Sequence, residues 1–170
     1  VEAMGRKRLS MGPITEEFEA AIAEAVGAPY ALVTPSGTAA LMMAMMVLDV
    51  GAGDEVIVPA RTFIATAHAP YGFGAKIVLA DSLADDPNVD PADIARKITS
   101  RTKAIIPVHL NGRACSIDKI MALGRRHNVA VIEDAAQAFL SRREGRALGT
   151  IGDMGIYSFG VVKLISAGQG

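Results

Sequence analysis

Ala130-Val131-Ile132-Glu133-Asp134-Ala135-Ala136-Gln137 joins an unbroken apolar run to two adjacent carboxylates and, three residues on, an amide. The spacing predicts a strand over 129–133. It lacks the apolar–polar alternation of a half-exposed sheet, so it reads as buried on both faces. Outward from it, short β-rich runs alternate with longer amphipathic ones. Strands are expected over 30–34, 55–58, 76–80 and 103–108, with a further one over 154–159. Helices are expected over 39–50, over 62–71 with Pro70 ending or bending it, and over 116–127. Thr15 caps a helix over 16–26 that Gly27 stops, and Asp90-Pro91 opens another that runs to Ile98. Strand, helix, strand, helix with continuous apolar strands means an α/β fold, a parallel sheet covered on both faces. Such sheets gather ligands at the carboxyl ends of their strands. Four features fall there: Ser36-Gly37-Thr38, the run Pro59 to Phe63, His109 with Asn111, and Asp134 with Gln137.

Composition narrows the class. The 170 residues are 51% hydrophobic and 21% charged, which excludes an intrinsically disordered chain. Lys+Arg 17 against Asp+Glu 18 leaves a charge of -1, so no basic field points to nucleic acid or an anionic membrane. A single cysteine rules out an internal disulfide and a cysteine zinc site, and no His/Asp/Glu spacing resembles a metal site. No apolar stretch follows the basic residues of Val1–Ser10, and the longest apolar run is too short to span a bilayer. The expectation is a cytoplasmic protein with neither nucleic-acid nor membrane partners. Met42, Met43, Met45 and Met46 read as adaptable core packing. His68 and His127 read as structural, Cys115 as an inert thiol, and Arg142, Arg143 and Arg146 as a solvated turn.

Three motifs carry chemistry, each with two readings. Ser36-Gly37-Thr38 precedes a helix, where glycine admits a ligand and first-turn N–H groups suit a phosphate; it equally describes a strand–helix turn with a capping serine. It is neither a Walker A loop nor a dinucleotide fingerprint. Asp134, closing a buried strand, needs a partner: a cationic ring nitrogen, a helix N-terminus or a neighbouring arginine. Lys163, flanked by apolar residues and followed by glycines, is either a Schiff-base nucleophile held in low dielectric or a solvated surface lysine.

The order of blocks resembles the DegT/DnrJ/EryC1/StrS family. Ser36-Gly37-Thr38-Ala39-Ala40-Leu41 is followed by Gly53-Asp54-Glu55-Val56-Ile57-Val58-Pro59, Thr102 to His109, Val131 to Gln137, and Ser158-Phe159-x-x-x-Lys163. The similarity runs from about Gly12 to the last residue. It implies pyridoxal-phosphate aminotransferases of fold type I, a three-layer α/β/α arrangement with a mostly parallel sheet. Residues 1–14 would form an N-terminal segment. Residues 15–170 would form the cofactor-binding large domain, incomplete at its C-terminal end, with the small domain absent from this chain.

The resemblance also implies roles. Lys163 would carry the cofactor and shuttle protons, and its presence argues against the branch that has histidine there. Asp134 would pair with the pyridinium nitrogen, Gln137 would bond the phenolic oxygen and Phe63 would stack on the ring. Gly37, Thr38 and Ser158 would cradle the phosphate, and His109 and Asn111 would lie at the pocket mouth. Glutamate or glutamine would donate the amino group to a keto sugar, normally nucleotide-linked, or to a keto-cyclitol, within a homodimer whose active sites are shared. The run after Lys163 leans toward the cyclitol and aminobenzoate branches. Two other classes stay open: a non-catalytic cofactor-binding or regulatory protein, and another fold-type I activity such as a lyase.

Overall fold

Residues 12–167 are described by a computed structural model. They divide into two compact units between Val33 and Thr34.

In the first unit, helix α1 spans Pro13–Val26 and ends at Gly27, whose φ of 74° is left-handed. It starts two residues before the expected cap. Pro13 has no N–H to lose in the first turn, and the carbonyl of Gly12 takes the N–H groups of Thr15 and Glu16. The strand expected over 30–34 does not form. Tyr30 and Leu32 are 86% and 75% exposed, and the Val33 N–H donates to Glu19 Oε1 rather than to a neighbouring strand. Apolar composition alone suggested burial there.

The second unit is a five-stranded sheet built from β1 (Glu55–Pro59), β2 (Lys76–Ala80), β3 (Thr102–Ile105), β4 (Ala130–Asp134) and β7 (Met154–Ile156). The order is β2-β1-β3-β4-β7 and every pairing is parallel. The chain steps from β1 to β2 on one side, then crosses to β3, β4 and β7 on the other. That reversal opens a crevice at the carboxyl ends of β1 and β3.

Helices α2 (Gly37–Val47) and α3 (Ala65–Gly72) cover one face, and α4 (Pro91–Lys97) and α5 (Ile117–His127) cover the other. Alternation along the strands supplies both cores. Val56, Val58, Ala104, Ile106 and Ile132 face α2 and α3, whereas Ile57, Ile105, Val129 and Val131 face α4 and α5. Asp90 caps α4 through its bond from the Ala92 N–H, and Pro70 sits in the last turn of α3, where the helix is about to stop. Cys115 is buried and its thiol is pushed up to about 12 by that burial, which keeps it unreactive.

Two expected strands are shorter than their apolar runs. β3 ends at Ile105, and β7 ends at Ile156 before Tyr157 to Gly160 turns into the loop carrying Lys163. The Arg142–Gly149 turn is a hairpin of β5 (Arg142–Arg143) and β6 (Arg146–Ala147). Its arginines are not merely solvated: Arg143 and Arg146 both donate to Asp118 on α5, at 2.8 and 2.7 Å. Among the described residues no helix is long and apolar enough to cross a membrane, and no group of three or more His, Cys, Asp or Glu gathers as a metal site.

Candidate active site

One cavity of about 750 Å³ opens at the carboxyl end of the sheet. Gly37, Thr38, Phe63, Asp134, Gln137, Ser158 and Lys163 all line it, although they span 127 positions of sequence from Gly37 to Lys163 inclusive.

The start of α2 forms one wall. Ser36 caps the helix through its Oγ, which accepts the Ala39 N–H at 3.1 Å. The N–H groups of Gly37 and Thr38, in the first turn, have no intrahelical acceptor. Packing favours glycine at 37: a Cβ there would lie 3.1 Å from Ser158 Cβ and 3.4 Å from its Oγ, so Ser158 would have to give way. The contact brings a helix N-terminus and a hydroxyl together, a concave donor set suited to a phosphate. Gly37→Val should therefore weaken pyridoxal phosphate binding roughly fivefold or more, since overpacking a close contact costs about 1–3 kcal/mol. Equilibrium dialysis of cofactor against the variant would measure it, and unchanged affinity would contradict the assignment.

Asp134 ends β4 and is 5% exposed. Its Oδ2 accepts from Thr66 Oγ1 at 2.8 Å and its Oδ1 from the Ala136 N–H at 3.1 Å. Burial pushes its carboxyl above the usual range, opposed by these two bonds and by the charge of Lys163. Among the described residues no salt bridge reaches it. It is a carboxylate whose desolvation is only partly offset, at the wall of a cavity that admits a cation. Gln137 follows on the next turn, and its Oε1 accepts the Asn111 N–H at 2.9 Å, so the amide nitrogen is the end left to donate. Asn111 lines the cavity in a left-handed conformation (φ 52°). Asn88, wholly buried, fixes that turn by accepting the Leu110 N–H at 3.1 Å.

Lys163 Nζ stands 5.9 Å from the centre of the Phe63 ring. Its apolar neighbours do not enclose it as the sequence suggested: Val161, Val162 and Leu164 are 75%, 87% and 72% exposed. The loop turns at Gly160, whose carbonyl takes the Lys163 N–H, and Lys163 lines the cavity together with the more exposed Val162 and Leu164.

His109 is not at the pocket mouth. It is fully buried behind the sheet, its Nε2 2.8 Å from Glu133 Oε2 and its Nδ1 accepting the Cys115 N–H. That acceptor role places its proton on Nε2, toward Glu133. Successive residues of a strand point to opposite faces, so Glu133 and Asp134 cannot share a cavity. Glu133 also accepts the N–H groups of Gly149, Ile151 and Gly152, tying the approach to β7 against β4. Burial pushes its carboxyl up, but His109 and the Gly152 and Gly149 N–H groups outweigh that, and the net direction is down. Its stabilising contribution is therefore present above the ordinary carboxylate range and lost as pH falls through the depressed value. Glu133→Ala, which strands His109 and three N–H groups, should cost about 3–5 kcal/mol in urea unfolding. A loss below about 1 kcal/mol would show the network to be dispensable.

Thr66 escaped the sequence reading, which held Thr62 only within the run Pro59 to Phe63. Thr62 lines the pocket, and Thr66, one helical turn later, binds Asp134 from within α3. Their four-residue spacing was the available signal.

The model of the DegT/DnrJ/EryC1/StrS aminotransferase family matches residues 1–170. The chain belongs to this family. Among curated relatives, it is 44% identical over 161 residues to the GDP-perosamine synthase of Caulobacter vibrioides, covering 95% of this chain and 43% of that protein. Among solved structures, an aminotransferase from Psychrobacter cryohalolentis matches with a TM-score of 0.90 and 43% identity, over 93% of this chain and 40% of that one. The PLP-form of the putative sugar aminotransferase Spr1654 from Streptococcus pneumoniae matches with a TM-score of 0.90 and 32% identity, over 94% and 45%. The chain thus spans less than half the length of these family members. The sheet and its helices are the fold-type I α/β architecture of the family.

Proposed function

We propose that the whole protein is a pyridoxal-phosphate-dependent aminotransferase that moves an amino group from glutamate or glutamine to a nucleotide-linked keto sugar. The observation that carries this reading is one cavity holding a lysine amine, a buried carboxylate and a donor-lined helix N-terminus. Residues 15–170 serve as its cofactor-binding large domain. The protein works in the cytoplasm as a homodimer with shared active sites.

The residues fit the cofactor. Gly37, Thr38 and Ser158 form a cradle that a Cβ at position 37 would crowd. Asp134 supplies the negative charge that keeps a ring nitrogen protonated, relieving its own burial. Gln137 donates from its amide nitrogen to a phenolic oxygen, and Phe63 offers a flat apolar surface beside Lys163. When bound, pyridoxal phosphate supplies an electron sink for the carbon that loses or gains a proton. Lys163 would hold the cofactor through its Nζ, and as a free amine the same Nζ would take and return that proton.

The 44% identity to a GDP-perosamine synthase supports a nucleotide-linked sugar as acceptor. The run Lys163-Leu164-Ile165-Ser166-Ala167-Gly168-Gln169-Gly170, which resembles the cyclitol and aminobenzoate branches of the family, favours a keto-cyclitol as a second acceptor class. The test is amino transfer by the full-length protein, with glutamate or glutamine as donor and either a nucleotide-linked keto sugar or a keto-cyclitol as acceptor. Mass spectrometry of the product should show an amine on the nucleotide sugar. Amine formation from neither acceptor class with either donor would overturn the reading.

A further inference from the structure

The side chain of Thr66 has no place in the roles above, yet it is wholly buried and bonded on both sides. Its Oγ1 lies 2.8 Å from Asp134 Oδ2 and 2.8 Å from Thr62 Oγ1. A threonine hydroxyl carries one proton. An ionised Asp134 can only accept, so Thr66 spends its proton on that carboxylate, and the contact with Thr62 then requires Thr62 to donate. The hydroxyls form a directed chain, Thr62 to Thr66 to Asp134, running from the cavity wall to the carboxylate inside it.

We propose that Thr66, headed by Thr62, is a positioning residue that holds Asp134 ionised and fixed in orientation to receive the protonated ring nitrogen of the cofactor. This rests on the proposed function.

Two features support the assignment. First, the two carboxylate oxygens are held by donors of different origin: Oδ1 by the Ala136 N–H of its own turn, Oδ2 by a hydroxyl 68 residues away in sequence on α3. Two fixed bonds on one carboxylate leave it a single orientation. Second, the charges around Asp134 do not fix it. Lys163 acts on it only at a distance, and Glu133, next in the strand, points to the opposite face. The bond from Thr66 is the side-chain contact that favours the charged form. A purely packing role for position 66 needs only volume, which valine supplies and serine does not; the proposed role needs only the hydroxyl.

The experiment compares Thr66→Val and Thr66→Ser in the full-length protein, first without cofactor and then with it. In the cofactor-free protein, carbon-13 NMR titration of the Asp134 carboxyl should show the midpoint raised by about one pH unit in Thr66→Val, as expected for loss of one hydrogen bond to a charged group, and close to wild type in Thr66→Ser. Affinity for pyridoxal phosphate by equilibrium dialysis should fall roughly tenfold in Thr66→Val and be retained in Thr66→Ser. Should Thr66→Val fail to fold, Thr66→Ala removes the same hydroxyl with less bulk and carries the same expectations. Wild-type titration and affinity in the valine or alanine variant would overturn the proposal alone, as would a serine variant that behaves like valine. A wild-type protein that takes up no pyridoxal phosphate would overturn the proposed function, and the assignment toward the cofactor with it; the Asp134 titration would still report on the hydroxyl chain.

Discussion

Lys163→Ala in the full-length protein should abolish both covalent capture of pyridoxal phosphate and amino transfer. Among the described residues Nζ is the one amine lining the cavity, and it has two tasks that no neighbour duplicates: holding the cofactor and moving the proton. Removal of the proton-transfer task alone costs on the order of 10²–10⁴-fold in rate, so turnover should fall by at least that much. The phosphate cradle does not involve the lysine side chain. Dialysis should therefore still detect reversible cofactor binding in the variant, with no borohydride-fixed product. The lysine is partly exposed and belongs to a loop beyond the last strand, so thermal unfolding of the cofactor-free variant should match wild type. A variant that still transfers amino groups at more than about one-hundredth of the wild-type rate would exclude the role.

Asp134→Asn should have an effect of the same order for an electrostatic reason. Asparagine fills the same space but carries no charge, so the cofactor ring nitrogen loses what keeps it protonated and the ring becomes a poorer sink. Loss of a preorganised charge at a reacting group costs roughly 10²–10³-fold. Geometry explains why the fold should survive. Oδ1 of the asparagine can still accept the Ala136 N–H, and its amide nitrogen can donate to Thr66, whose hydroxyl reverses and donates to Thr62. Asp134 has a raised folded-state value, so its ionisation opposes folding, and stability in the cofactor-free protein declines as pH rises from the unfolded value toward the folded one. The asparagine variant lacks that decline. Urea unfolding across pH should show it equal to or more stable than wild type above the carboxylate range, while activity is lost. Wild-type turnover in the variant would remove Asp134 from the mechanism.

The parallel sheet was legible because β1 and β4 carry continuous apolar runs that only burial on both faces explains. Asp134 was legible because a carboxylate ending such a run must find a partner. Residues 30–34 misled for the same reason in reverse: apolar composition reports a preference for burial, but not whether a strand stands beside the segment to pair with it. His109 misled because it follows β3 in sequence. The ladder continues past the end of that strand, with the His109 N–H on the Asp134 carbonyl, and alternation sends its ring behind the sheet to Glu133. Thr66 left little mark, since a threonine among alanines in a short helix looks like filler until the fold brings Asp134 to it. Lys163 was found through its block of sequence, not its surroundings, which are more open than its apolar neighbours implied.

The central claim is that this cavity binds pyridoxal phosphate through Lys163. Its most direct test is to incubate the full-length protein with pyridoxal phosphate, reduce with borohydride, digest, and locate the modified residue by mass spectrometry. A visible absorption band is expected that glutamate or glutamine discharges, and that reduction converts into a stable adduct on Lys163. No band, or an adduct on any other lysine with Lys163 unmodified, would contradict it.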